Sequence, residues 1–124
     1  MAERAIVGRT TIADGAVASI VGAATQEVEG VHGLGESSVR RTLAERVGGA
    51  EPRARGVMVG VGEKEAIAHI SFRITYGYRI PDVAANIREN VAKKLRDLCN
   101  LTAKEVNLRV VSVYFPEATR AELE

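Results

Sequence analysis

The sequence has little of several residue types on which common functions depend. Of its 124 residues one is cysteine and none is tryptophan, and aromatic residues amount to 4%. A single cysteine excludes a disulfide framework and a metal site built from several cysteines. So few aromatic side chains argue against a stacking platform for bases or an aromatic-lined ligand pocket. The formal net charge is +1, so the basic footprint of a nucleic-acid-binding protein is missing as well.

Targeting signals are also absent from the sequence. The first residues include Glu3 and Arg4, where a signal peptide needs an apolar run. No stretch reaches the roughly 18 apolar residues of a membrane-spanning helix. We therefore expect a cytoplasmic protein.

What is present is the composition of one globular domain. Hydrophobic residues make up 46% of the chain and charged residues 27%, and a chain of this length can bury one core. We predict a single domain over 1–124, with its core at about 8–115. A mobile loop is expected over 48–56 and a C-terminal tail over 116–124.

Two segments have the apolar spacing of amphipathic helices. The first is predicted from about Asp14 to Val28, with Thr11 or Asp14 as its cap, and the second from Ile80 to Leu98. The second has proline in its first turn, where a missing N–H costs nothing. Its apolar face is formed by Val83, Ala84, Ile87, Val91, Leu95 and Leu98. A short third helix is predicted between Ser37 and Val47.

Alternating apolar and polar residues predict strands. Residues 57–61 and 68–76 flank a turn at 62–65 and indicate a β-hairpin with one buried face. Val106, Leu108 and Val110 are predicted to point inward from a further strand, and a shorter strand is expected through Ile6 to Ile12. The fold class is therefore α+β, a two-layer domain with helices packed on one face of a small, mostly antiparallel sheet.

No set of side chains in the sequence indicates catalysis. Cys99 falls at a predicted helix C-terminus, the end of the dipole that disfavours a thiolate. His32 and His69 have no spacing typical of a zinc site. We predict no catalytic residue, no metal ligand, no cofactor and no small-molecule substrate.

Two glycine-containing features are candidates for binding. Gly30, Val31, His32 and Gly33 match the GxxG loop with which KH domains clamp a nucleic-acid backbone, although the loop has no Lys or Arg. An RNA-binding KH-like domain is therefore the alternative function, and a tight turn at a helix exit is the simpler interpretation of the same residues.

The second feature is the back of the first helix. Gly15, Ser19, Gly22 and Gln26 form a face without charge, where a helix in water normally carries Lys and Glu. Because glycine weakens a helix by about 1 kcal/mol relative to alanine, this candidate interaction face indicates a close packing partner. That partner is either the segment from Ser37 to Val47 or another subunit, as in a homo-oligomer.

The order of motifs resembles the alkaline shock protein family of bacterial envelope stress response proteins. Its opening is similar to the stretch from Gly8 to Ile20 followed by Gln26-Glu-Val-Glu-Gly-Val. Its centre is similar to Gly56-Val-Met-Val-Gly-Val-Gly-Glu followed by Thr75-Tyr-Gly-Tyr-Arg-Ile-Pro. Its ending is similar to the predicted helix from Ile80 to Leu98 followed by Glu105-Val-Asn-Leu-Arg-Val-Val.

This resemblance implies a function without catalysis. The protein is expected to be a protein-interaction module that supports cell-envelope homeostasis under stress. It would reach the membrane indirectly, through a membrane-anchored protein partner of related fold. Nucleic acid is not an expected partner on this interpretation.

Overall fold

The computed structural model describes residues 6–36 and 55–117. The predicted short helix between Ser37 and Val47 and most of the predicted 48–56 loop lie outside these residues, as does the tail from 118 onward. The described elements, in chain order, are α1 (Asp14–Gln26), β1 (Val31–Leu34), β2 (Val57–Val61), β3 (Glu65–Thr75), α2 (Ile80–Cys99) and β4 (Thr102–Tyr114).

The sheet is built around β3. Strands β1 and β2 lie end to end along one edge of β3, and both are antiparallel to it. The backbone N–H of Gly35 donates to the Ser71 carbonyl, and the Ser71 N–H donates to the Gly56 carbonyl. The chain thus leaves the sheet at Gly35 and returns to the same point at Gly56. Gly56 has a φ of +74°, and a Cβ there would come within 2.7 Å of the Gly35 nitrogen, so this junction requires glycine.

The other edge of β3 pairs with β4 in parallel over the full length of β3. Helix α2 is the connection between these two strands, as parallel neighbours require a long crossover. Two of the three strand pairings are antiparallel, and β2 and β3 form the expected hairpin. The predicted α+β class and the mostly antiparallel sheet are confirmed.

The core lies between the sheet and the two helices. Alternate residues of β3 point into it, because side chains of a strand alternate between the two faces of the sheet. The buried β3 residues are Ala66, Ala68, Ile70, Phe72 and Ile74. The helices contribute Val17, Val21 and Ala24 from α1 and Val83, Ile87, Val91 and Leu95 from α2. Helix α1 contacts β2 and β1, and α2 contacts β4.

The predicted strand from Ile6 to Ile12 is wrong. This N-terminal segment, defined as residues 6–13, contains no strand and is exposed throughout. Its β-branched residues favour an extended chain, but no described strand pairs with them. Helix α1 begins after Ala13, which makes no side-chain cap, and ends at Gln26 instead of Val28.

Burial differs from the prediction at the end of α2 and on β4. Leu98 is 63% exposed, and Leu101 is buried instead. The reason is the left-handed Asn100 that ends α2, because it turns the chain back so that the Leu101 N–H donates to the Leu95 carbonyl. Leu108 and its neighbours Val106 and Val110 pack against the core as predicted but are only half-buried. They lie on β4, which has a described neighbour on one edge only.

Candidate functional site

The four residues of the candidate interaction face on α1 differ in their exposure. Gly15 and Gln26 are exposed, Ser19 is half-buried and Gly22 is buried. A Cβ added at Gly15 would meet nothing within 4 Å. The four residues therefore do not form one uniformly exposed surface, and a role for them in binding remains a prediction.

The glycine loop does not lie between two described helices. Gly30 is a turn residue with a φ of +101°, and Val31, His32 and Gly33 belong to β1, a strand that the sequence did not predict. Packing explains why position 33 is glycine, because the Arg73 guanidinium occupies the space that a Cβ would take. Arg73 Nε also donates to the Gly35 carbonyl at 3.1 Å. RNA binding by this stretch remains a prediction, and no contact among the described residues favours it.

The ends of β3 and β4 meet at one edge of the molecule, because the two strands are parallel and end at register partners Thr75 and Tyr114. The backbone N–H of Tyr76 donates to the Tyr114 carbonyl. Four of the five aromatic residues of the chain gather there. Together with one histidine they define what we call the aromatic end, formed by His32, Tyr76, Tyr78, Tyr114 and Phe115.

Two ring stacks organise the aromatic end. The His32 and Tyr114 rings are nearly parallel, 3.9 Å between centroids and 2° between planes, and Tyr76 stacks on Phe115 at 4.9 Å. Partial burial and the nearby Arg73 guanidinium lower the pKa of His32. A neutral imidazole therefore dominates at pH 7 and stacks on the phenol ring without the cost of desolvating a charge.

Tyr78 fixes the loop that carries it to the end of α1. Its hydroxyl donates to Glu29 Oε1 at 3.1 Å, and this hydrogen bond raises the pKa of Tyr78, with the charge of Glu29 as the second cause. A Cβ at Gly30 would approach Val83 and the Tyr78 ring at 2.9–3.0 Å. The absence of a side chain at Gly30 therefore lets Tyr78 and the start of α2 pack closely on this turn.

The apolar surface of the aromatic end is not covered by the helices. Val113 is in register with the buried Ile74 and so lies on the face that the helices pack against, yet it is 41% exposed. Tyr76 and Ile80 are 50% and 46% exposed. Contiguous exposed apolar and aromatic side chains mark protein interaction sites.

An acidic groove lies beside the aromatic end, between the last turn of α1 and the middle of α2. It has a volume of about 500 Å³ and is lined by Glu27, Val28, Glu29, Asn86, Glu89, Asn90 and Lys93. Asn90 Nδ2 donates to the Ala24 carbonyl at 2.8 Å and to Glu27 Oε1 at 2.9 Å, which ties the two helices together. Glu27 also lies 3.9 Å from Lys94. Within residues 6–36 and 55–117, Glu29 and Glu89 form no ion pair.

The remaining candidates for chemistry lie apart from one another. Burial raises the pKa of the Cys99 thiol, which disfavours the nucleophilic thiolate. His69 contacts Asn107 at 3.4 Å on the sheet. The described part of the chain contains no group of three residues able to hold a metal ion. None of its helices is long and apolar enough to span a membrane.

The aromatic end was not predicted from the sequence, because composition gives the number of aromatic residues and not their positions in the fold. The available signal was positional: Tyr76 and Tyr78 follow one predicted strand, and Tyr114 and Phe115 follow another. The helix between these two strands is the usual connection of parallel neighbours. Parallel pairing would have placed all four rings at the same edge.

Fold and surface together define a small two-layer α+β domain whose most distinctive described surface is an exposed aromatic end. The alkaline shock protein 23 family, described as having a cell envelope-related function, matches residues 2–115. The chain belongs to this family, as its motifs had suggested.

The relatives are bacterial. The chain is 28% identical over 109 residues to the uncharacterized protein YqhY of Bacillus subtilis, covering 88% of this chain and 79% of that protein. It is also 28% identical over 118 residues to a stress response regulator gls24 homolog of Streptococcus pyogenes, covering 95% of this chain. It spans 65% of that relative's length. No solved structure matches the chain significantly.

Proposed function

We propose that this protein is a non-enzymatic interaction module of the cell-envelope stress response, and that its aromatic end binds a membrane-anchored protein partner of related fold. The observation that carries the proposal is the placement of the aromatic residues. Four of five lie where β3 and β4 end, outside the buried core between the sheet and the helices.

Family membership supports the envelope part of the proposal, and the name of the streptococcal relatives, stress response regulator gls24 homolog, supports a role in stress. The chemistry of the aromatic end supports binding to a protein. Tyrosine contributes large, rigid contact area together with a hydroxyl, and it is enriched among the residues that dominate binding energy at protein interfaces.

The proposal is tested by fractionating cells that produce full-length variants of the chain. Tyr76→Ser combined with Phe115→Ser removes one ring stack. Met58→Ser is the matched control, since Met58 is 72% exposed on the sheet and far along the chain from the aromatic end. Both proteins should melt at nearly the wild-type temperature.

We expect chemical crosslinking to recover the wild-type protein and the Met58 variant with a membrane protein, and the double variant to stay in the cytosolic fraction. Equal recovery of all three would contradict the proposal. A salt-sensitive complex of the purified protein with single-stranded RNA, lost on Gly33 substitution, would favour the KH-like alternative instead.

A further inference from the structure

The outer edge of β4, the side that faces away from β3, has no neighbouring strand among the described residues. β4 is the longest described strand, with 13 residues, and β3 is its one described partner. A free edge presents N–H and C=O groups that can pair with another extended chain, and proteins usually protect such edges with charges, proline or a short strand. Because β4 is long, its protection has to come from side chains.

One side-chain contact identifies the backbone groups of β4 that point to the outer edge. Arg88 Nε donates to the Val106 carbonyl at 3.1 Å, so this carbonyl points away from β3. Backbone groups of alternate strand residues point to the same edge, and the register with β3 has no shift from Glu105 to Val110. The N–H and C=O groups of Leu108 and Val110 therefore point outward as well, and no described residue pairs with them.

Protection of the outer edge is confined to the first half of β4. That half carries Lys104 and Glu105, and the Arg88 side chain lies over the Val106 carbonyl. The second half reads Val110-Val-Ser-Val-Tyr, without a charge or a proline, and its Val113 and Tyr114 side chains are 41% and 43% exposed. The unprotected half leads directly into the aromatic end, so a partner bound there also reaches the free edge.

The side chains along the outer edge indicate the chemistry of the strand that fits it. Leu108 and Val110 face the helices and are half-buried, because no strand covers their outer side. Arg109 points to the opposite face and is exposed, and it forms no ion pair with any of the described residues. Since directly neighbouring side chains of two strands interact, an added strand needs apolar residues beside Leu108 and Val110 and an acidic residue beside Arg109.

We infer that the protein partner adds an extended segment of alternating apolar and acidic residues to the outer edge of β4, as a further strand of the sheet. Main-chain hydrogen bonds to the outward groups of Leu108 and Val110 supply affinity, and the acidic side chains select for the segment through Arg109. The inference rests on the proposed function, because the partner that covers the aromatic end is the one that supplies the segment.

Two probe peptides test the inference on the isotope-labelled full-length chain by nuclear magnetic resonance. The acidic probe is Thr-Val-Glu-Val-Glu-Val-Thr with blocked ends, and the basic probe has Lys in place of Glu. The acidic probe should shift the amide signals of Leu108 and Val110 and slow their hydrogen exchange. Arg109→Glu should weaken the acidic probe about tenfold or more and favour the basic one, since the charge preference reverses. Lys64→Glu, an equal charge change at the exposed hairpin turn, is the control and should bind as the wild type does.

Val110→Pro separates main-chain pairing from charge. It removes an outward N–H, which an edge strand tolerates, so the variant should still fold and should bind the acidic probe about tenfold or more weakly. Should it fail to fold, Arg109→Glu decides alone. A wild-type chain that does not bind the acidic probe, or that binds both probes equally, overturns the inference. So does slow exchange at Leu108 before any probe is added, because the chain itself or a second copy would then cover the edge.

Crosslinking in cells distinguishes this inference from the proposed function. Val110→Pro and Arg109→Glu should each lose the crosslinked membrane protein, as the double variant of Tyr76 and Phe115 should. If both β4 variants keep the membrane protein and the double variant loses it, the edge inference is overturned and the proposed function stands. If the β4 variants lose it and the double variant keeps it, the edge inference stands and the aromatic end is not the binding surface.

Discussion

Aromatic side chains are buried in the middle of the sheet and exposed at its end. Phe72, in the middle of β3, is fully buried between sheet and helices, whereas Tyr76, only four residues further along, is 50% exposed. Both follow the same alternation along the chain. The difference is that α1 and α2 cover the first position and leave the second uncovered, so the same type of side chain stabilises the fold in one place and is available for binding in the other.

The largest expected effect tests the buried half of this comparison. Phe72→Ala should lower the free energy of unfolding by about 3–5 kcal/mol, because the transfer energy of the ring is lost and a cavity remains. Tyr76→Ala, with its ring half in water, should cost less than about 1 kcal/mol. Urea denaturation measures both. Similar losses for the two variants would remove the distinction between core and aromatic end.

A second pair of variants tests which region the back of α1 belongs to. Gly22→Glu would place a charged side chain at a buried position and should cost roughly 2–4 kcal/mol. Gly15→Glu, at an exposed position two helical turns earlier on the same face, should change stability by less than about 0.5 kcal/mol. Thermal melts decide the matter. If Gly22→Glu melts like the wild type, this face of α1 is exposed surface, and close packing does not explain its small residues.

Leu108 lies between the two extremes, half-buried on the edge strand. Because its side chain is only partly removed from water, Leu108→Ala should cost about 1–2 kcal/mol, less than a fully buried leucine would. Denaturant titration of this variant beside Phe72→Ala gives the ratio directly. A loss as large as that of Phe72→Ala would mean that β4 is covered more completely than its exposure indicates.

The smallest effect concerns the pH dependence of His32. Its folded-state pKa lies below the usual value of 6.5, so the unfolded chain binds protons more readily over the interval between the two pKa values. Stability from this residue is therefore full above about pH 6.5 and declines as pH falls through that interval. The melting temperature of the wild type should fall slightly more than that of His32→Gln between pH 7.5 and 5. An equal fall in both would show that the stack does not sense protonation.

Patterns of local periodicity predicted much of the fold. The helices and the hairpin follow from apolar spacing, and the inward positions of β3 follow from alternation. Strand β1 escaped prediction because Val31-His-Gly-Leu is short and contains glycine, and its pairing with β3 depends on a partner some 40 residues away. The segment through Ile12 misled for the opposite reason, since β-branched residues favour extension but cannot supply a neighbouring strand.

The candidate site was harder to predict than the fold. Tyr76 and Tyr114 are 38 positions apart, and only the parallel pairing of β3 and β4 places them together. Such pairing is a tertiary property that no local window contains. The acidic groove is similar, because Glu29 and Glu89 meet only through the packing of α1 on α2, which Asn90 holds in place.

The most direct test of the account is site-specific photocrosslinking at Tyr76 and at Met58 in living cells. Both positions are exposed, but only Tyr76 belongs to the aromatic end. A crosslinker at position 76 should give one prominent adduct with a membrane protein, and the same adduct should be lost when Phe115 is replaced by Ser. A crosslinker at position 58 should give no such adduct. Adducts of equal yield at both positions, or none at position 76, would contradict the claim that the aromatic end is where this protein binds its partner.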